Sequence, residues 1–167
     1  MKKMMCASLF VIVAHLSGHA SAEPGFLADF ARDKVLSVQF SPLTYHFSQN
    51  EGHKSVVMVG LEREHSNAQL DGMALFTNSF GQPTVYVYPW GGVHHDLGGI
   101  HHLSFKWTAG LLYGYKEPYA HKVPLNFKGF SPAIIPALAY EFKPGLTGQL
   151  NFLGTAGLMF QLNMPVI

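Results

Sequence analysis

The chain is short of several things at once. Its 167 residues include one cysteine, Cys6, so no intramolecular disulfide can form. Charged residues make up only 13%, about half their share in ordinary globular chains. No cluster of lysine and arginine stands out, which argues against nucleic acid as a partner. Beyond the first 22 residues no run approaches the roughly 20 apolar positions that a membrane-spanning helix needs. What remains is a single-domain length and an aromatic content of 13%. Such a chain can still be solvated by lipid if it crosses as strands. Only a closed barrel then pairs every backbone group.

The N-terminus reads as a signal peptide over residues 1–22. Lys2 and Lys3 are basic, residues 6–14 are apolar, and Ala20-Ser21-Ala22 supplies small residues for cleavage. Its loss removes Cys6 and takes 11 basic residues to 9 against 10 acidic ones, a formal net charge of −1. Residues 23–34 then read as a short amphipathic helix, with Phe26, Leu27, Phe30 and Ala31 on one face and Asp29, Arg32 and Asp33 on the other. That pattern suits a helix at a membrane surface or an ordinary frayed end.

Eight strand-like stretches follow, at 35–48, 54–64, 69–77, 84–90, 102–115, 131–142, 146–153 and 156–164. In the fifth, Leu103, Phe105, Trp107, Ala109 and Leu111 alternate with Ser104, Lys106, Thr108 and Gly110. In the seventh, Leu150 and Phe152 oppose Gln149 and Asn151, and in the eighth Phe160 and Leu162 oppose Gln161 and Asn163. An apolar outside and a partly polar inside is the pattern of a transmembrane barrel. Other stretches, such as Val56-Val57-Met58-Val59 and Met73-Ala74-Leu75-Phe76, are apolar on both faces. An eight-stranded barrel has room inside only for side chains or one small ligand. The expected interior is therefore part apolar cavity and part polar plug, fitting either a hydrocarbon chain or a plain packed core. The expected fold is an all-β, eight-stranded antiparallel transmembrane β-barrel (residues 35–167) preceded by the short helix, located in the outer membrane of a Gram-negative cell.

With an even strand count, alternate loops fall at one end. That end, taken as extracellular, receives His46 from the first strand and Asn78-Ser79 from the third. These strands are separated by one neighbour, roughly 10 Å of sheet, so their side chains can meet inside a narrow barrel. A serine beside a turn is ordinarily a turn former. A histidine that takes its proton makes it the minimum machinery for acyl transfer. Gly91–His102 holds four histidines and Asp96, but the spacing matches no fixed metal site. It reads as a polar turn at the opposite end, with no metal and no cofactor expected.

The segment Ser41-Pro42-Leu43-Thr44-Tyr45-His46 resembles the Pro-x-x-Thr-aromatic-His motif of the PagP family, outer-membrane lipid A palmitoyltransferases. The segment Leu75-Phe76-Thr77-Asn78-Ser79-Phe80, with Pro83 after it, resembles that family's Phe-x-Asp-Ser-aromatic motif. Thr108-Ala109-Gly110 and Ile135-Pro136-Ala137-Leu138-Ala139-Tyr140 resemble two further family segments in the expected order. The resemblance spans residues 24–164 with gaps. It implies an acyltransferase that moves a palmitoyl-like chain from an outer-leaflet phospholipid to lipid A, as a monomer. His46, Asn78 and Ser79 would be catalytic, with Asn78 orienting the base. Pro42, Pro132 and Pro136 would mark lateral entry of the donor, because proline cannot complete a ladder. Tyr88 falls where the family has a small residue at the floor of the acyl pocket, so a shorter chain than palmitoyl is expected. Asn78 replaces the family's aspartate. The enzyme then tolerates an amide, or recruits Glu51 or Glu117, or is a non-catalytic relative. Two other readings stand beside this one: a non-enzymatic barrel for membrane integrity or solute passage, and a lipid A deacylase, although residues 146–167 lack the histidine that the latter would carry there.

Overall fold

The computed structural model of the protein describes residues 34–48 and 54–166. The signal peptide, residues 23–33 of the expected surface helix, and Glu51 lie outside the described residues. Lys34, assigned to the end of that helix, is instead the first residue of a strand, paired with His65.

Eight antiparallel strands close into one barrel. They are β1 (Lys34–His46), β2 (Met58–His65), β3 (Leu70–Thr77), β4 (Pro83–His94), β5 (Leu103–Tyr113), β6 (Phe130–Lys143), β7 (Leu146–Phe152) and β8 (Gly157–Pro165). β8 returns to pair with β1. The upper rim is the end that receives the C-termini of β1, β3, β5 and β7. The lower rim receives the other four.

The period-two alternation sorts side chains as expected in β5, β7 and β8. Lys106, Thr108, Gln149, Asn151, Gln161 and Asn163 are buried, while Phe105, Trp107, Leu111, Phe160, Leu162 and Met164 are exposed. The outer surface is consequently an apolar band, with Ile134 as much as 75% exposed.

Every strand differs from the pattern-based reading by at least one residue at one end, and three of these differences have a clear physical reason. Residues 54–57 are not in a ladder, because pairing of β1 with β2 stops at Ser41 opposite Met58, just before Pro42. β4 runs past Trp90 to His94, since Gly91, Gly92, Val93 and His94 all pair with β5. Those glycines read as a turn but answer to crowding: a Cβ on Gly91 would lie 2.8 Å from the Trp107 carbonyl oxygen. β5 ends at Tyr113, where Gly114 takes φ 147°.

The interior has two storeys. The upper one is largely apolar, built on Val56, Met58, Ala74, Tyr86 and Met159. The lower one is a polar plug. Lys106 and Glu62 form a buried ion pair, and the Tyr88 hydroxyl lies 3.2 Å from Glu62 Oε2. Beside it four amides close a ring: Gln149 donates to Asn151 (2.7 Å), Asn151 to Gln161 (2.9 Å), Gln161 to Asn163 (2.5 Å) and Asn163 back to Gln149 (2.8 Å). Within the ring each amide gives one bond and takes one, so both ends of every member have a partner.

The ion pair makes a direct prediction. Glu62→Gln leaves Lys106 buried without its counter-charge and lowers the unfolding free energy by about 3–5 kcal/mol. Replacing both residues by methionine restores most of it. Denaturant midpoints of the refolded barrels measure both changes.

Candidate active site

β1 carries its histidine inward only because the strand is bulged. Phe40 pairs with Leu162 but Leu43 pairs with Phe160, so β1 spends one extra residue at Ser41-Pro42. Before the bulge Gln39 faces in; after it Thr44 and His46 do, lining the same cavity. An unbroken strand would have turned Tyr45 inward and His46 out, since a one-residue shift exchanges the two faces. Pro42 suits the position because it has no N–H to place in a ladder. Ser41, fully buried, latches the bulge by donating its hydroxyl to the Phe160 carbonyl at 2.5 Å.

The partner side chain comes from the turn between β3 and β4. Asn78 is fully buried. Its Oδ1 accepts the backbone N–H groups of Phe80 and Gln82, both at 3.0 Å, and its Nδ2 donates to Gln82 Oε1 at 3.3 Å. Gly81 then reverses the chain at φ 81°, where a side chain would be strained. Gln82 ties the turn to the β5–β6 loop: its Oε1 accepts the Lys116 N–H at 3.1 Å and its Nε2 donates to the Lys116 carbonyl at 3.2 Å. The Lys54 N–H donates to the Ser79 carbonyl at 2.7 Å. Ser79 is thus held from three directions.

So positioned, Ser79 Oγ lies 3.0 Å from His46 Nε2. With that nitrogen unprotonated, the hydroxyl donates to it. A base within hydrogen-bond reach of a hydroxyl is the required geometry for activating a nucleophile. Asn78, by contrast, commits both ends of its amide to the turn that presents Ser79. An aspartate would keep the two acceptor bonds. Facing Gln82 Oε1 with an oxygen in place of Nδ2, Asn78→Asp is expected to lose that one bond and cost about 1 kcal/mol, whereas Asn78→Ala strands two buried N–H groups and costs about 2–6 kcal/mol. Denaturant unfolding of the two variants separates the cases. Glu117 lies exposed on the β5–β6 loop at the same rim.

The pair stands at the mouth of a cavity of about 540 Å³ in the upper storey, within the usual range for a small-molecule site. Its walls include Val56, Met58, Ala74, Phe76, Ile135 and Met159, and its lower end reaches Gln39, Glu62 and Tyr88. Tyr88 is buried, and its ring stacks on Tyr86 at 5.1 Å between centroids. Room for it comes from its cross-strand partner Gly72, where a Cβ would fall 2.4 Å from the Tyr88 hydroxyl oxygen. β4 bulges here as well, between Val87 and Trp90, with Pro89 in the bulge.

The wall is open to the side in two places near the mouth. The β1–β2 ladder covers Lys34 to Ser41 and leaves Pro42 to His46 without a β2 partner. The β6–β7 ladder covers Ala137 to Lys143 and leaves Phe130 to Pro136, with Pro132 and Pro136 among them, without a β7 partner. β5 pairs with β6 across both prolines, and neither proline nitrogen can donate to a further strand on the open side.

Two features had no signal in the sequence. Thr44 Oγ1 is buried in the cavity wall and has no hydrogen-bond partner among the described residues. At the lip, Phe80 stacks on Tyr119 at 4.2 Å and meets Tyr115 edge-on at 6.5 Å. Burial pushes the Tyr115 hydroxyl above its ordinary pKa, so it remains neutral. The His95 and His102 side chains lie at the lower rim, paired with Glu64 at 2.7 Å and Glu141 at 3.3 Å. Among the described residues no group of three or more histidine, cysteine, aspartate or glutamate side chains is arranged to hold a metal. No protein-family model and no curated protein matches the chain.

Proposed function

We propose that this protein is an outer-membrane acyltransferase, a divergent relative of the PagP family, that moves a fatty acyl chain from an outer-leaflet phospholipid to lipid A. The observation that carries the reading is the 3.0 Å contact between His46 and Ser79 at the mouth of a largely apolar cavity. The exposed apolar band supports a lipid surrounding, since water-soluble monomers rarely show apolar patches above a few hundred Å². So do aromatic side chains at both rims, Tyr45, Phe47 and Phe130 above and Tyr140 and Phe142 below, as in the girdles of outer-membrane barrels.

In this reading the donor enters through the unpaired wall beside Pro132 and Pro136 or beside Pro42. Its chain descends toward Tyr88 and its ester bond comes to rest at Ser79. His46 is the general base and Ser79 the hydroxyl it activates, while Asn78 fixes the turn. Thr44 offers an unclaimed hydroxyl to the ester carbonyl. The donor ester bond breaks and an ester to an acceptor hydroxyl forms. The acceptor's proton passes through His46 to the lysophospholipid oxygen, so no cofactor is consumed. Solute passage fits less well, because the Glu62–Lys106 pair and the amide ring stand between the upper cavity and a separate polar cavity of about 490 Å³ at the lower end. Purified barrel mixed with lipid A and a phospholipid labelled in its acyl chain is expected to yield labelled lipid A. Labelled free fatty acid alone would indicate a hydrolase, and no label movement would sink the proposal.

A further inference from the structure

The upper cavity is apolar along its sides and polar at its lower end. Val56, Met58, Ala74, Phe76 and Ile135 form walls whose side chains offer a ligand no hydrogen bond. Below them the cavity reaches Gln39, Glu62 and Tyr88 from β1, β2 and β4, and Gln149, Asn151 and Gln161 from β7 and β8. A saturated hydrocarbon tail matches the walls and satisfies nothing at the floor.

Most of these polar groups are already committed. Glu62 meets Lys106 with one oxygen and the Tyr88 hydroxyl with the other. The three amides belong to the closed ring. Gln39 is different. It is only 4% exposed, and its Oε1 lies 3.4 Å from the Tyr88 hydroxyl. Its Nε2 has no hydrogen-bond partner among the described residues and is open to the cavity. Turning the amide over exchanges its two ends and still leaves one of them without a partner. Two glycines make room for this floor. Gly60 stands opposite Gln39 in the β1–β2 ladder, where a Cβ would fall 2.7 Å from Gln39 Oε1. Gly72 does the same for Tyr88 from β3.

We propose that the cavity floor at Gln39 is a subsite for a hydroxyl group at the far end of the acyl chain, so that the favoured donor is a phospholipid whose fatty acyl chain is hydroxylated at its tail. This rests on the acyl-transfer reading of the Ser79 site. A plain chain that reached the floor would shut the free end of Gln39 away from any partner, and a buried group left unpaired is costly. A tail hydroxyl accepts from Gln39 and keeps a hydrogen for a lone pair of the neighbouring amides. A tail carboxylate suits the floor less well. Lys106 is already paired with Glu62, so a second buried anion would lack a counter-charge. In the surrounding hydrocarbon a tail hydroxyl has no partner at all, which favours its transfer to the floor.

The test gives the full barrel, in vesicles, phosphatidylcholines whose saturated chains shorten stepwise from palmitoyl. Each length is supplied plain, with a terminal hydroxyl, and with a mid-chain hydroxyl. At the length that spans the cavity, the terminal hydroxyl is expected to lower the donor KM about tenfold. The mid-chain hydroxyl, set against the apolar walls, should raise it. Gln39→Leu should abolish the advantage of the terminal hydroxyl when donors of equal length are compared. A wild-type barrel that treats plain and terminally hydroxylated donors alike at every length overturns the proposal, and so does a Gln39→Leu barrel that keeps the advantage. An equal gain from the mid-chain hydroxyl also overturns it. Binding of the corresponding free fatty acids to the Ser79→Ala barrel is measured in parallel. Binding that depends on the tail hydroxyl, with no acyl transfer by the wild-type barrel, would reject the catalytic reading and leave the floor subsite standing. Acyl transfer with no dependence on the tail hydroxyl in either assay would reject the subsite alone.

Discussion

Ser79→Ala is expected to lower kcat for the proposed acyl transfer by at least about 10³-fold, since losing the hydroxyl of a paired hydroxyl and base removes most of the catalysis in comparable sites. The substitution removes one oxygen, whereas the turn around it is held by backbone groups and by Asn78. The barrel should fold as before, with a denaturant midpoint near the wild-type value. His46→Asn loses about 10²–10⁴, the usual worth of a positioned general base. Because the two residues act on one proton, the double variant should be hardly worse than Ser79→Ala alone. Two independent losses that multiply would mean that they do not work as a pair. Initial rates with saturating donor and acceptor decide the matter.

Tyr88 governs the second large effect. Its ring closes the lower end of the cavity over Gly72, and its hydroxyl lies 3.2 Å from Glu62 Oε2 and 3.4 Å from Gln39 Oε1. Under the proposed function the wild-type protein is expected to transfer a chain shorter than palmitoyl. Tyr88→Ala opens the floor and shifts the preferred donor to longer chains. Each methylene gained or lost in an apolar pocket is worth about tenfold or more in selectivity. Tyr88→Phe keeps the ring and should keep the preference. Tyr88→Ala also carries a stability cost of about 3–5 kcal/mol, so Tyr88→Leu serves as the sturdier variant. Competition between donors of different chain length, read by mass spectrometry of the product, measures the shift. A wild-type preference for full palmitoyl, unmoved in Tyr88→Ala and Tyr88→Leu, would refute the role of the floor.

How much of this was legible in the residues depends on the period-two pattern. β5, β7 and β8 alternate without interruption, so their inward polar and outward apolar faces could be read directly. The bringing together of His46 and Ser79 at one rim followed from counting strands. That His46 points inward did not follow, because its direction is set by one extra residue at Ser41-Pro42, and a bulge leaves no periodic trace. Gly91 and Gly92 misled in the other direction. They look like a turn, yet they lie in β4 where Trp107 leaves no room for a Cβ. The amide ring was visible only as polar alternation, since its closure needs β7 and β8 in register. Asn78 was read as a group that orients the histidine. What its pattern could not show is that its amide also builds the turn that presents the serine.

The most direct measurement is the mass of lipid A extracted from cells carrying the wild-type gene, no gene, or the Ser79→Ala gene, with the barrel quantified in the outer membrane each time. The account predicts one added acyl mass in the wild-type cells alone. Lipid A of the same mass in all three, with the barrel present in the first and third, would contradict it.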